Sequence, residues 1–385
     1  MYQKFSQKMI KQSKIAFFTL FICSFCVFNL NFKINKSVFA INNYESMITI
    51  EASSKRVLYF KDEHRRLPMA STTKILTAIV AIESGVDLDE KHVIQKEWTG
   101  VEGSSIYLQA GEILSLRELL YGLMLRSGND AAVAIAGIVA GDVESFVSMM
   151  NDYVLKLGLK DTHIVTVNGL HDNNHYTTAY DLAIISAKAM ENAIFAEISN
   201  TKSVKIANTK SKFDDKCRVL VNKNKFLKMI DSADGIKIGY TKKAGKCFVS
   251  SCTKNGMRII TVVLNSSDMF KHSKKLTEKA FEEFKLKKLL AKDANLGEVE
   301  IGDKKFSVFL QNDLIFPLKN NEISQIKGKI IFNKEIFDKT NSVNEALTFD
   351  LTNENNLIFS AKVYTISIEE SKNGEDALKK IIEAF

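Results

Sequence analysis

The chain holds 385 residues, with 45% hydrophobic and 25% charged side chains, a globular composition that excludes disordered, collagen-like and low-complexity classes. That length suits two or three domains. The formal charge of +8 invites a nucleic-acid or membrane-surface reading, which depends on where the cations sit.

Six lysines, at 4, 8, 11, 14, 33 and 36, lie in the first forty residues, where no acid occurs. Between them runs an apolar stretch, IAFFTLFICSFCVF at 15–28, and the segment ends Val38-Phe39-Ala40. A basic start, an apolar run short for a membrane span and a small-residue exit predict a secretory signal peptide over 1–40, cleaved after Ala40, with retention as an anchor the alternative. Removing six of the 53 Lys and Arg leaves 47 against 45 Asp and Glu, about +2 on 345 residues, so no nucleic-acid footprint remains. Cys23 and Cys26 leave with the signal. The remaining three, Cys217, Cys247 and Cys252, make no disulfide scaffold. Cys247 and Cys252 lie five apart in a predicted strand and point to opposite faces, so they read as buried thiols, with a Cys217 bridge the alternative.

Residues 46–59 predict two strands about a turn at Ser53-Ser54-Lys55. An apolar helix runs from Thr72 to Ser84 and stops at Gly85. Ser115-Leu-Arg-Glu118 is a capping box opening a helix over 116–126. A polar turn, Ser127-Gly128-Asn129-Asp130, separates that helix from an almost wholly apolar one at 131–140, and a helix apolar all round is a buried one. Further helices are predicted at 144–156 and 179–192, then strands at 216–221, 235–242, 246–253 and 257–265. Asn255-Gly256 joins the last two as a hairpin turn. A charged amphipathic helix spans about 268–286. Residues 297–368 then alternate as strands, with almost no helical periodicity, and 371–385 reads as a short amphipathic tail. There is no glycine-rich phosphate loop and no zinc-spaced cysteine pair; the close pair His171 and His175 sits in an Asn-rich loop and makes a poor metal site.

Three short patterns carry chemistry. Ser71-Thr-Thr-Lys74 opens the first apolar helix, so hydroxyl and amine share a face. A serine needs a base to become a nucleophile, and a lysine serves if burial or a neighbouring cation lowers its pKa. The helix N-terminus adds N–H groups for an oxyanion. Ser-x-x-Lys occurs four times here, and only this copy starts a long apolar helix; taken alone, it equally describes a capping serine and a surface lysine. Ser127-Gly128-Asn129 is clamped between two apolar helices, where a buried polar turn needs partners; taken alone, it equally describes a helix ending at Gly128. Lys237-Ile238-Gly239 lies in an apolar strand, a cation beside a closely approached backbone or else an edge-strand lysine.

Together, in the order SxxK, SxN, KxG with gaps of 56 and 110 residues, the three patterns resemble the serine D-Ala-D-Ala carboxypeptidases, the low-molecular-mass penicillin-binding proteins. PMASTTKILTA, GSSIYLQAGE, LLYGLMLRSGNDAAVAIA, NGLHDNNHYTTAYDLA and GYTKKAGKCFVSS are also similar to that family, densely over about 45–285 and more loosely over 290–370. The resemblance implies an α/β (α+β) transpeptidase domain, β-lactamase-like, over 41–286, with an antiparallel sheet and a helical subdomain, followed by a small all-β domain over 290–370. It implies Ser71 as nucleophile, Lys74 as base, and Ser127 as proton relay to the leaving D-alanine. Asn129 would bind the substrate backbone, Lys237 its carboxylate beside Gly239, and the N–H groups of Ser71 and Tyr240 the oxyanion. It implies peptidoglycan stem peptides ending in D-Ala-D-Ala as substrates, β-lactams as inhibitors, no metal or cofactor, and action at the cell wall or the outer membrane face.

Two departures stand out. The family's third motif is Lys-Thr-Gly or Lys-Ser-Gly, and position 238 is Ile; Thr166-Val167-Asn168-Gly169 stands where an Asn-Pro is usual. The first motivates a second reading, a catalytically silent peptidoglycan-binding protein. A β-lactamase is the third, opposed by Ser-Gly-Asn and the extra β region.

Overall fold

The computed structural model describes residues 44–206, 218–302, 304–353 and 356–368. The predicted signal peptide, Cys217 and the 371–385 tail lie outside them. The chain enters through a hairpin of β1 (Tyr44–Glu51) and β2 (Val57–Lys61). A helical region follows: α1 (Lys74–Ile82), a ribbon of β3 (Lys91–Val93) and β4 (Ile113–Ser115), α2 (Leu116–Arg126), α3 (Asn129–Ala140), α4 (Val143–Lys156), α5 (Ala179–Glu191) and α6 (Ala193–Asn200). A second ribbon, β5 (Ser203–Ile206) with β6 (Arg218–Val221), leads to β7 (Ala233–Thr241), β8 (Gly245–Lys254), β9 (Met257–Ser266) and α7 (Met269–Glu283).

The main sheet is antiparallel, in the order β2-β1-β9-β8-β7, so β7 is an edge. β8 and β9 are buried almost throughout, which requires cover on both faces. One face joins the large core of α1 to α6, to which Ile48, Ile50, Cys247, Val249, Ile260 and Val262 belong. α7 packs against β8 and β9, and a chain of buried hydroxyls, Thr49 to Thr261 (3.1 Å) and Thr261 to Thr277 (3.3 Å), crosses from sheet to helix. Cys247 and Cys252 are both free and fully buried, and burial pushes each thiol up to about 12. α1 is the central helix, with every residue from Lys74 to Ala81 buried; its mainly apolar sequence favours this, and Lys74 and Thr77, the two polar side chains in that span, are hydrogen-bonded.

The remaining strands are β10 (Lys285–Leu290), β11 (Asn295–Ile301), β12 (Lys304–Leu310), β13 (Leu314–Leu318), β14 (Ile326–Phe332), β15 (Leu347–Asn353) and β16 (Asn356–Ser367). β10 pairs with β13, and the others form an antiparallel sheet ordered β11-β12-β16-β15-β14 over a small core of Val308, Leu310, Phe316, Leu351 and Val363. Two short helices interrupt what the sequence presents as strand alone: α8 (Lys334–Thr340) and α9 (Val343–Ala346). Asn333 and Ser342 cap them, accepting from the Ile336 and Glu345 N–H groups. At seven and four residues, neither is long enough to show a 3.6-residue period. Arg56 holds this region to the main sheet: its guanidinium pairs with Glu322 at 2.6 Å and lies between the Phe284 and Phe316 rings, 5.1 and 5.2 Å from their centroids.

Candidate active site

The turn that carries Ser71 is made by its neighbours. Residues Ala70–Thr73 form a 3-10 turn, and the α-helix proper begins at Lys74 rather than at the expected Thr72. The Thr72 and Thr73 hydroxyls donate back to the carbonyls of Met69 (2.7 Å) and Ala70 (2.8 Å), which tightens the turn. Ala70 sits at φ +49°, a conformation costly for a residue with a Cβ. No side chain caps the turn or α1, so the Ser71 hydroxyl is not consumed as a cap.

Lys74 is fully buried. Its Nζ lies 3.1 Å from Ser71 Oγ and 2.7 Å from Asn129 Oδ1, and it also bonds the Asn168 carbonyl. Two of these partners only accept, and the third is a hydroxyl. A neutral amine has two N–H groups for the carbonyls and one lone pair for the Ser71 O–H. Burial holds Lys74 well below the usual lysine range, helped by the nearby Lys237 and, more weakly, Lys223, and opposed by Asp130.

The second motif is set by the capping box: Ser115 accepts from the Glu118 N–H, and Glu118 from the Ser115 N–H. α2 ends at Ser127, not at Gly128; Ser127 takes the left-handed position at φ +63°, and Gly128 precedes α3. The Ser127 Oγ is buried and makes no hydrogen bond. The Asn129 side chain does two jobs, accepting from Lys74 and donating to the Glu102 carbonyl, while its backbone N–H donates to Ser104 O at 2.7 Å. A Cβ at Gly103 would come within 2.7 Å of Asn129 Nδ2.

The third motif lies on the edge strand β7. Lys237 is buried, and its Nζ donates to the Ile238 carbonyl at 3.2 Å. Burial, with Lys223 adding to it, brings this amine down to about 7. Lys237 and Gly239 pair with Val249 and Cys247, which face the large core, whereas Ile238 pairs with Phe248 and lies half-buried on the other side. A Cβ at Gly239 would lie 3.0 Å from the backbone nitrogens of both Ser71 and Thr72, so only glycine lets β7 approach the Ser71 turn this closely. The Tyr240 side chain is exposed.

The geometry thus links Ser71, Lys74 and Asn129 by direct hydrogen bonds and sets Gly239 against the Ser71 backbone. It leaves Ser127 Oγ unbonded, and Lys237 reaches Lys74 through charge. Residues outside the three motifs complete the arrangement. Asp130, 1% exposed, accepts from Ser105 Oγ and from the N–H groups of Ile106, Leu108 and Ala131, which pins the 105–108 segment. Its sequence signal is an acid opening an apolar helix. The Asn168 contact is a backbone carbonyl and has no such signal. Of the close histidine pair, His171 is exposed and His175 buried, and no metal-ligand cluster occurs among the described residues.

A family model for D-alanyl-D-alanine carboxypeptidases matches residues 36–268. The D-alanyl-D-alanine carboxypeptidase DacF of Bacillus subtilis is 31% identical over 298 residues, 74% of this chain and 75% of that one. DacA of Escherichia coli, which bears the same enzyme name, is 31% identical over 86% of this chain and 84% of its own. Among solved structures, penicillin binding protein 5 from Haemophilus influenzae superposes with a TM-score of 0.71 at 25% identity, covering 86% of this chain and 98% of that one. On these matches and this fold, the chain belongs to the D-alanyl-D-alanine carboxypeptidase family.

Proposed function

We propose that Ser71 is the acylated nucleophile of a serine D,D-carboxypeptidase that removes the terminal D-Ala from peptidoglycan stem peptides. The observation that carries this is the fully buried Lys74 amine, which bonds no carboxylate, lies 3.1 Å from Ser71 Oγ and has the Asn129 side-chain carbonyl and the Asn168 backbone carbonyl as its other partners. The Ser71 proton passes to Lys74 as Oγ attacks the penultimate D-Ala carbonyl. The oxyanion meets the N–H groups of Ser71 and Tyr240; in support, Gly239, next to Tyr240, lets β7 lie against the Ser71 backbone nitrogen. The proton taken up by Lys74 then passes to Ser127, buried without a hydrogen-bond partner, as Ser127 gives its own proton to the nitrogen of the departing D-alanine, and Lys74 is neutral again for the attack of water. Water then cleaves the ester and releases the shortened peptide. Asn129 orients the substrate backbone, and Lys237 meets the terminal carboxylate. A β-lactam acylates the same oxygen.

Ile238 supplies no hydroxyl to that carboxylate. One lost hydrogen bond to a charged group costs about 1.5–3 kcal/mol, roughly 10- to 100-fold, which slows the enzyme without removing nucleophile or base. Catalysis falls to residues 41–286, followed by a β-rich region at 290–370, with residues 1–40 as the export signal. Membrane attachment would fall to the 371–385 tail, whose four apolar positions give weak, reversible binding. The test is D-alanine release from a pentapeptide ending in D-Ala-D-Ala. Steady release that disappears in Ser71→Ala supports the assignment; binding without release marks a silent binder instead.

A further inference from the structure

His175 lies outside the three motifs, yet it is buried between the Ser71 turn and the 165–170 segment that binds Lys74. Its Nδ1 faces two donors, the backbone N–H groups of Val165 (3.0 Å) and Thr166 (3.3 Å). Nδ1 is therefore an unprotonated acceptor, and the proton is on Nε2, 2.8 Å from Thr73 Oγ1. Thr73 Oγ1 in turn donates to the Ala70 carbonyl. The relay runs from two N–H groups through the imidazole and one hydroxyl into the backbone beside Ser71.

Three other contacts join the same two segments. Lys74 Nζ donates to Asn168 O, and Thr77 Oγ1 donates to Val167 O at 2.6 Å. Gly169 packs so tightly that a Cβ there would lie 2.0 Å from the Ala70 oxygen. Among these contacts, only the His175 relay passes through an imidazole, the side chain whose ordinary titration lies just below neutral pH. We propose that neutral His175 is a positioning residue that clamps the Lys74-binding segment to the nucleophile turn, and that its protonation releases the clamp. A proton on Nδ1 would set three donors against one another and free Val165 and Thr166.

Burial already lowers this imidazole to about 4. Asp172 opposes the shift, while His163, His171 and Lys74 add to it. The clamp therefore stays closed through neutral pH and opens only in acid. The inference rests on the acyl-transfer reading above, and its test separates the two.

Acylation by a fluorescent penicillin is followed from pH 3.5 to 8 for the wild type, Thr73→Ser and Thr73→Val. The expected result is a wild-type rate for Thr73→Ser, which keeps the hydroxyl, and a roughly 10- to 100-fold slower rate for the near-isosteric Thr73→Val, as misplaced catalytic groups give. In parallel, nitrogen NMR of the wild-type imidazoles should show an Nε2–H tautomer for His175 with a midpoint near 4. Wild-type acylation by Thr73→Val, an Nδ1–H tautomer, or titration near 6.5 overturns the proposal. If the wild type is not acylated at all, the acyl-transfer reading fails, and the NMR measurement still decides the state of His175.

Discussion

At the residue scale, the site is built on two amines that burial keeps from ordinary lysine behaviour. Lys237 falls to about 7 in the fold against 10.5 when exposed. Its folded pKa lies below the unfolded one, so between about pH 7 and 10.5 the unfolded chain binds more protons. The contribution of this group to stability therefore rises with pH across that window and is lowest below about 7. Lys237→Met should raise Tm, by about 2–4 °C for each kcal/mol recovered, more at pH 6 than at pH 9, while D-alanine release collapses. Calorimetry at both pH values, beside the peptide assay, checks the pair of effects. A lower Tm at pH 6 would show that the buried amine holds the fold rather than straining it. Ile238→Thr tests the missing hydroxyl: kcat/KM for a D-Ala-D-Ala peptide should rise roughly 10- to 100-fold, and no change would mean that this face of β7 does not touch the carboxylate.

At the element scale, glycine decides how closely segments meet. Gly169, at φ +81° with the Ala70 oxygen against it, leaves no room for a methyl group. Gly169→Ala should cost about 1–3 kcal/mol through backbone conformation alone, with the clash in addition; urea denaturation measures it, and a stability within 0.5 kcal/mol of wild type would contradict the packing. These close approaches also mark what was legible in the sequence. α1 was visible because a long, mainly apolar run is a buried one, α2 because its capping box is a local signal, and the β8–β9 hairpin because Asn255-Gly256 specifies its turn. The 3-10 turn was not visible, since it depends on Thr72 and Thr73 bonding back to carbonyls and on Ala70 entering the left-handed region. α8 and α9 were too short for a period. The motifs brought out Ser71, Lys74 and Asn129 by spacing. They passed over Asn168, which acts through its backbone, and Asp130 and His175, whose work is to hold other groups in place.

At the scale of the whole molecule, the main sheet separates two jobs. Its β7 edge faces the Ser71 turn, while the chain entering β2, at the opposite edge, carries Arg56 and the contact with the β-rich region. Four strand spacings, about 19 Å, lie between the edges. Arg56→Ala should therefore lower stability by about 1–3 kcal/mol, the worth of hydrogen bonds to a charged group, and leave the acylation rate unchanged. A loss of acylation matching the loss of stability would show that the β-rich region supports the site as well.

The central claim, that Ser71 is the acylated oxygen, is tested most directly by mass spectrometry of the protein after brief exposure to a penicillin. The account predicts one covalent adduct, mapped to the peptide containing Ser71 and absent from Ser71→Ala. An unmodified protein, or an adduct carried by another residue, would contradict it.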